Sequence, residues 1–227
     1  MRNQDIIILF GIFFLAFVSL INGTNNTSTK KEQDQHKKPS EERVFRFKQL
    51  DVTLDNFDAE DYILDIGGGG EGVIGQLKGQ QVIAIDISKR ELVEAPPGPL
   101  KIVMDARDLK FLDNSFKTAT VFFTFMYIKG SDHKKVFQEL FRVLMPGGRL
   151  LTWDVIFPKQ VDPNKDIAVF PLKIKLPDKI IKTGYGAQWP KDGQGLSHYI
   201  QLAKEVGFKV MTHKEKNHWF YLELKKP

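Results

Sequence analysis

Five apolar runs rich in β-branched residues punctuate the chain, at 62–66, 81–85, 100–104, 118–125 and 148–153. None alternates cleanly with polar residues, which is the pattern of parallel strands covered on both faces. Helical spacing lies between several of them: a short stretch at 72–77, and a longer one at 133–144 in which Val136, Leu140, Val143 and Leu144 share a face. Pro146-Gly147-Gly148 is a stop signal for that helix, because proline cannot continue it and glycine permits the turn. A further helix at 198–206 is stopped by Gly207. Two strands at 208–213 and 219–224, joined by the polar turn 214–218, predict an antiparallel hairpin at a sheet edge. Strands alternating with helices predict an α/β fold. The expected form is a doubly wound, Rossmann-like sheet of seven strands with a C-terminal antiparallel hairpin and helices on both faces.

A different pattern opens the chain. Residues 6–21, IIILFGIFFLAFVSLI, carry no charge. This is slightly short of the ~20 residues that span a bilayer, and it also has the length of a signal-peptide core. Ile21 stands where a cleavage site wants a small residue, and lysines follow the segment at positions 30, 31, 37 and 38. By the positive-inside rule these features predict a single-pass transmembrane helix with the remainder on the cytoplasmic side; secretion after cleavage is the alternative. Residues 24–43 are polar and low in apolar content, as in a linker. The expected organisation is an apolar segment at 1–23, a linker at 24–43 and one folded domain at 44–227.

Composition narrows the chemistry. With 42% apolar and 27% charged residues the chain has the balance of a globular protein. It has no cysteine, which excludes disulfides, a thiol nucleophile and thiolate-ligated metal. The net charge of +5 comes from scattered lysines, with dense runs at 173–182 and 209–216. Neither run carries the spaced aromatics of a single-strand nucleic-acid platform, so both read as solvated faces and a nucleic-acid partner is not expected.

The densest chemical signal is Asp65-Ile66-Gly67-Gly68-Gly69-Gly70-Glu71-Gly72, a glycine-rich turn between a strand and a helix. Glycines let the chain bend sharply and let a ligand approach the backbone. Gly67, Gly69 and Gly72 satisfy G-x-G-x-x-G, a pattern that dinucleotide-binding enzymes share. Asp86 ends the next strand, where a carboxylate can hold ribose hydroxyls. Asp105-Ala106 begins the run DARDLKFLDNSF, and Arg142–Gly148 reads RVLMPGG.

In this order the motifs of residues 61–154 resemble the class I S-adenosylmethionine-dependent methyltransferases, of the type 11 branch that includes ubiquinone and menaquinone biosynthesis enzymes. That branch typically reads LDIGCGTG, an acid after the second strand, DAEDLPFPDNSFD, then RVLKPGG. Here Glu71 stands where the family loop has its last glycine, and Lys117 replaces an acid. The resemblance implies S-adenosylmethionine as cofactor, with Asp65, Gly67, Gly68 and Gly69 at its methionine end. It places Asp86 on the ribose, Ile87 against the adenine, Asp105 and Ala106 at the adenine edge, and Phe123 under the sulfonium. It implies in-line methyl transfer to a small acceptor, read as lipophilic from the apolar N-terminal segment. Catalytic residues stay open, with Tyr127, Asp154 and His133 as candidates; Tyr185, Trp189 and His198 are further acceptor-side candidates, the first two in a lid-like stretch. A nicotinamide-dependent oxidoreductase and a non-catalytic relative remain as alternatives.

Overall fold

The computed structural model describes residues 40–160 and 162–227. The strands are β1 (Val44–Arg46), β2 (Leu50–Thr53), β3 (Ile63–Ile66), β4 (Val82–Asp86), β5 (Leu100–Val103), β6 (Phe116–Phe122), β7 (Leu144–Val155), β8 (Ile167–Lys175), β9 (Ile180–Gln188), β10 (Lys209–Lys216) and β11 (Trp219–Lys225). The α-helices are α1 (Val73–Lys78), α2 (Lys89–Glu94), α3 (Gly130–Val143) and α4 (Leu196–Val206).

Seven strands form the main sheet in the order β10-β11-β7-β6-β3-β4-β5. The five central ones are parallel, and β11 and β10 add the antiparallel edge expected of the C-terminal hairpin. Chain order reverses between β3 and β6, which run side by side. In open α/β sheets the ligand crevice lies outside the carboxyl ends of the strands at such a reversal. β3 is buried at every position, which explains its unbroken apolar sequence around the single acid Asp65. One face of the sheet packs on α3 and α4 through Val136, Phe137, Leu140, Tyr199 and Ala203. α4 ends as expected at Gly207, which takes a left-handed conformation.

The other face carries α1, α2 and a small second sheet that the apolar pattern did not predict. In it β9 pairs antiparallel along the whole of β8, while β1 and β2 lie parallel against successive stretches of β8. With β9 occupying one edge throughout, β1 and β2 must share the other. Pro171 falls where neither β1 nor β2 is in register, so its missing N–H costs no ladder bond on that edge. Phe170, Leu172 and Ile174 pack from β8 into the same core as Phe122, Phe123 and Trp153 of the main sheet. The lysine run at 173–182 therefore contains parts of two strands, with Ile174 and Ile181 facing inward.

The membrane expectation is corrected. Among the described residues no helix is long and apolar enough to cross a membrane. Residues 6–21, on which the single-pass helix, the membrane partner and the cytoplasmic placement of the domain all rested, lie outside the described residues.

Candidate active site

The glycine loop is a tightly bonded turn. Gly67 and Gly68 both donate to the Ile85 carbonyl of β4 (2.8 and 3.0 Å), Gly70 donates to Glu91 (2.9 Å) and Gly72 to Gly69 (3.0 Å). Gly67, Gly70 and Gly72 have φ of 72°, 57° and 52°, the left-handed region that favours glycine. At Gly67 space forbids a side chain as well: a Cβ there would lie 2.3 Å from Thr124 Oγ1. Asp65 sits beneath this turn at 2% exposure, accepting a hydrogen bond from Thr120 Oγ1 (2.7 Å). Burial pushes its pKa up to about 7. Its carboxylate lies close beneath Gly68, where a Cβ would come 2.7 Å from Oδ2.

Asp86 stands at the carboxyl end of β4 and accepts the Ser88 N–H (2.8 Å). Burial raises its pKa, against backbone hydrogen bonds from Ser88, Gly69 and Ile87 that lower it. Beside it Ile87 is 61% exposed, a large apolar side chain left open at the mouth of the sheet. Asp105 follows β5, but its carboxylate is not bare. Arg107 Nη2 donates to one oxygen (2.6 Å) and the Arg107 N–H to the other (2.8 Å), and the guanidinium also pairs with Asp132. This pairing holds the Asp105 pKa below the usual range. Ala106 follows in the same turn, half-buried.

β6 ends at Phe122, three residues earlier than its apolar run suggests, because Phe123 turns to φ 51°. A non-glycine residue in that region is uncommon and such strain gathers at functional sites. The Phe123 N–H still donates to Trp153 (2.7 Å), and its ring is buried. The chain then makes a 3-10 turn over Phe125–Tyr127. Two buried side chains fasten that turn. Asp154 accepts the N–H of Phe125 and of Val155, each at 2.8 Å. His133 Nε2 lies 3.2 Å from the Phe125 carbonyl and 3.0 Å from that of Ile128, so this nitrogen carries the proton and donates. His133 Nδ1 then accepts from His198 Nε2 at 3.1 Å. Burial moves Asp154 up to about 7 and His133 down to about 4, so both are driven toward their neutral forms.

The sequence candidates therefore separate. His133 is a fully buried brace, and Asp154 is a buried turn anchor. His198 supports His133. Trp189 is buried, packs on Phe45 and Phe47 and donates Nε1–H to Pro158, so it forms no lid. Tyr127 keeps 45% of its surface exposed, while its hydroxyl is enclosed against the Gly186 backbone and burial raises its pKa. Tyr185 of β9 joins it, with ring centroids 6.5 Å from Tyr127 and 5.9 Å from Phe123. Reasoning from sequence passed over Glu71 as a site residue. Its carboxylate accepts the Tyr185 hydroxyl (3.0 Å) and the Thr183 hydroxyl. The only signal for it was its intrusion among the glycines.

Comparisons with known proteins agree with this geometry. Residues 64–152 match the family model described as "Methyltransferase domain". No curated protein sequence matches the chain. Among solved structures, an S-adenosylmethionine-dependent methyltransferase of Methanosarcina mazei aligns with a TM-score of 0.52 at 19% identity, covering 75% of this chain and 94% of that one. A phosphoethanolamine N-methyltransferase of Haemonchus contortus, solved with S-adenosyl-L-methionine, aligns at 0.56 and 16% identity, over 76% of this chain and 50% of its own. The [4+2]-cyclase SpnF aligns at 0.53 and 15% identity, over 82% and 79%. At these identities the structures speak for the fold, and none of the matches reaches the quinone-biosynthesis branch. Family match, strand order and loop together give residues 64–152 the features of a class I, S-adenosylmethionine-dependent methyltransferase domain.

Proposed function

We propose that this chain transfers a methyl group from S-adenosylmethionine to a small acceptor with an apolar or aromatic body, which enters between Tyr127 and Tyr185. The observation that carries this is the crevice at the β3–β6 reversal, with the glycine loop and Asp86 on one side and an aromatic wall of Phe123, Tyr127 and Tyr185 on the other. The residues fit the cofactor. Asp86 offers a carboxylate to ribose hydroxyls, Ile87 an exposed apolar face to the adenine, and the loop a backbone that a methionine tail can approach. Asp105 would reach the adenine edge while still paired with Arg107.

The hydrogen bonding of the loop also bears on the nicotinamide alternative. A pyrophosphate needs free N–H groups at the turn, yet those of Gly67, Gly68, Gly70 and Gly72 are already donated to carbonyls. A cofactor without phosphate suits such a loop better.

The bound cofactor would supply an activated methyl on a sulfonium, so the chemical demand on the chain is to hold an acceptor in line and keep water out. Phe123, Tyr127 and Tyr185 do this by apolar contact. Neither Asp154 nor His133 is placed to accept a proton from an acceptor: both are enclosed and committed to the backbone of the turn. Burial raises the Tyr185 pKa well above its usual value, so its hydroxyl stays protonated. The acceptor must therefore bring its own nucleophilicity, as a phenolate, thiolate or neutral amine would.

Transfer of labelled methyl from S-adenosylmethionine to a panel of small phenols, thiols and amines tests this. Turnover of at least one apolar or aromatic member, lost in Tyr127→Ala with cofactor affinity retained, is expected. Turnover confined to strongly polar acceptors, indifferent to Tyr127, would refute the acceptor assignment.

A further inference from the structure

Glu71 stands apart from the machinery above. It occupies a place where the resembling loops have glycine, and it lies between two residues held in left-handed conformations, Gly70 and Gly72. Gln76 Nε2 donates to the Glu71 carbonyl (2.6 Å), which fixes its backbone against α1. Its side chain is thereby turned toward β9, where both carboxylate oxygens are used, one by the Thr183 hydroxyl and one by the Tyr185 hydroxyl. Thr183 and Tyr185 are alternate residues of one strand, so they project from the same face of β9. Hydrogen bonds to a charged acceptor are the stronger kind. These two contacts span 112 and 114 residues of sequence and join the cofactor loop to β9 of the second sheet.

We propose that Glu71 is a positioning residue that clamps the β9 strand to the cofactor loop. Tyr185 is thereby held against Phe123 and Tyr127, and the crevice is closed over whatever the loop binds. The identity of the occupant rests on the cofactor assignment; the clamp itself does not. Its consequence is coupling, since a movement of the loop on cofactor binding is passed to the acceptor wall through one carboxylate. Loosening the clamp frees β9 and shortens the residence of the cofactor.

Full-length wild type, Glu71→Ala, Glu71→Gln, Tyr185→Phe and the double variant Glu71→Ala/Tyr185→Phe test this by two readouts. The first is amide exchange across residues 180–188 without ligand; the second is the dissociation rate of S-adenosylhomocysteine as probe. Glu71→Ala should raise both on the order of tenfold. Glu71→Gln should stay nearer to wild type, because its amide oxygen can still accept the tyrosine hydroxyl. The double variant should be no worse than Glu71→Ala alone, since both substitutions remove one shared interaction. Should Glu71→Ala fail to fold, Tyr185→Phe removes a single hydroxyl from the same contact and carries the test. Wild-type exchange across 180–188 in Glu71→Ala and Tyr185→Phe would overturn the proposal, as would additive effects in the double variant. A wild-type chain that does not bind the probe would refute the cofactor assignment instead, with the exchange data still deciding the clamp.

Discussion

The two sides of the crevice are built in different ways. The cofactor side is made of backbone and short-range contacts, in which a glycine turn directly follows β3 and an acid ends β4. The acceptor side is made of side chains brought from far apart. Phe123 and Tyr127 come from one turn, Tyr185 from a second sheet, and Asp154 and His133 brace the turn from behind. A backbone site depends on conformation and tolerates side-chain exchange poorly only where space or φ demands glycine. A side-chain site depends on the props beneath it, and here those props are buried polar groups whose loss leaves backbone partners unpaired.

This contrast predicts an order of sensitivities. The largest effect belongs to Gly67→Val. With φ at 72° and no room beside Thr124, the turn cannot keep its shape, and S-adenosylmethionine affinity measured by calorimetry should fall by more than about 100-fold. Next is Asp154→Ala, which leaves the buried Phe125 N–H without its acceptor and should cost about 3 kcal/mol in urea denaturation. Asp154→Asn keeps one acceptor oxygen but turns an amide N–H toward the second backbone donor, so it should lose about half of that; a loss equal to that of Asp154→Ala would mean that both carboxylate oxygens are required. Asp86→Ala, on the cofactor side, should weaken cofactor binding by about tenfold through loss of the proposed ribose contacts while leaving Tm within a few degrees.

The smallest effect is a dependence on pH. Asp65 and Asp154 have folded pKa values raised from 3.8 to about 7, so between those limits the folded chain keeps protons that the unfolded chain has released. Their contribution to stability is fully present below the unfolded value and is lost as pH rises through the folded one. Tm should thus decline from about pH 4 to about pH 7 and level off above, and Asp65→Asn should flatten the slope. A slope unchanged by either Asn variant would show that both acids are already ionised in the fold.

The same contrast explains what could be read from the amino-acid order alone. The five parallel strands, α3, α4 and the C-terminal hairpin follow from local apolar patterning and stop signals, and the glycine loop and Asp86 from motif spacing. β8 and β9 escaped because Pro171 and the lysines break the pattern, and their inward residues are recognisable only once the main sheet is there to receive them. α2 is six residues long, capped by Ser88, too short for periodicity to reveal. His133 carries a polar name but a buried environment, since two carbonyls and a second histidine satisfy its ring. Glu71 and Tyr185 become partners only through folding. The apolar segment at 6–21 suggested a lipophilic acceptor; what now supports an apolar one is the aromatic wall.

The central claim is that this crevice holds S-adenosylmethionine. Isothermal titration of the full-length chain with S-adenosylmethionine, S-adenosylhomocysteine and NAD tests it most directly. The account predicts micromolar binding of the first two and silence from NAD, with Gly67→Val abolishing the signal; heat from NAD alone, or cofactor binding indifferent to Gly67→Val, would contradict it.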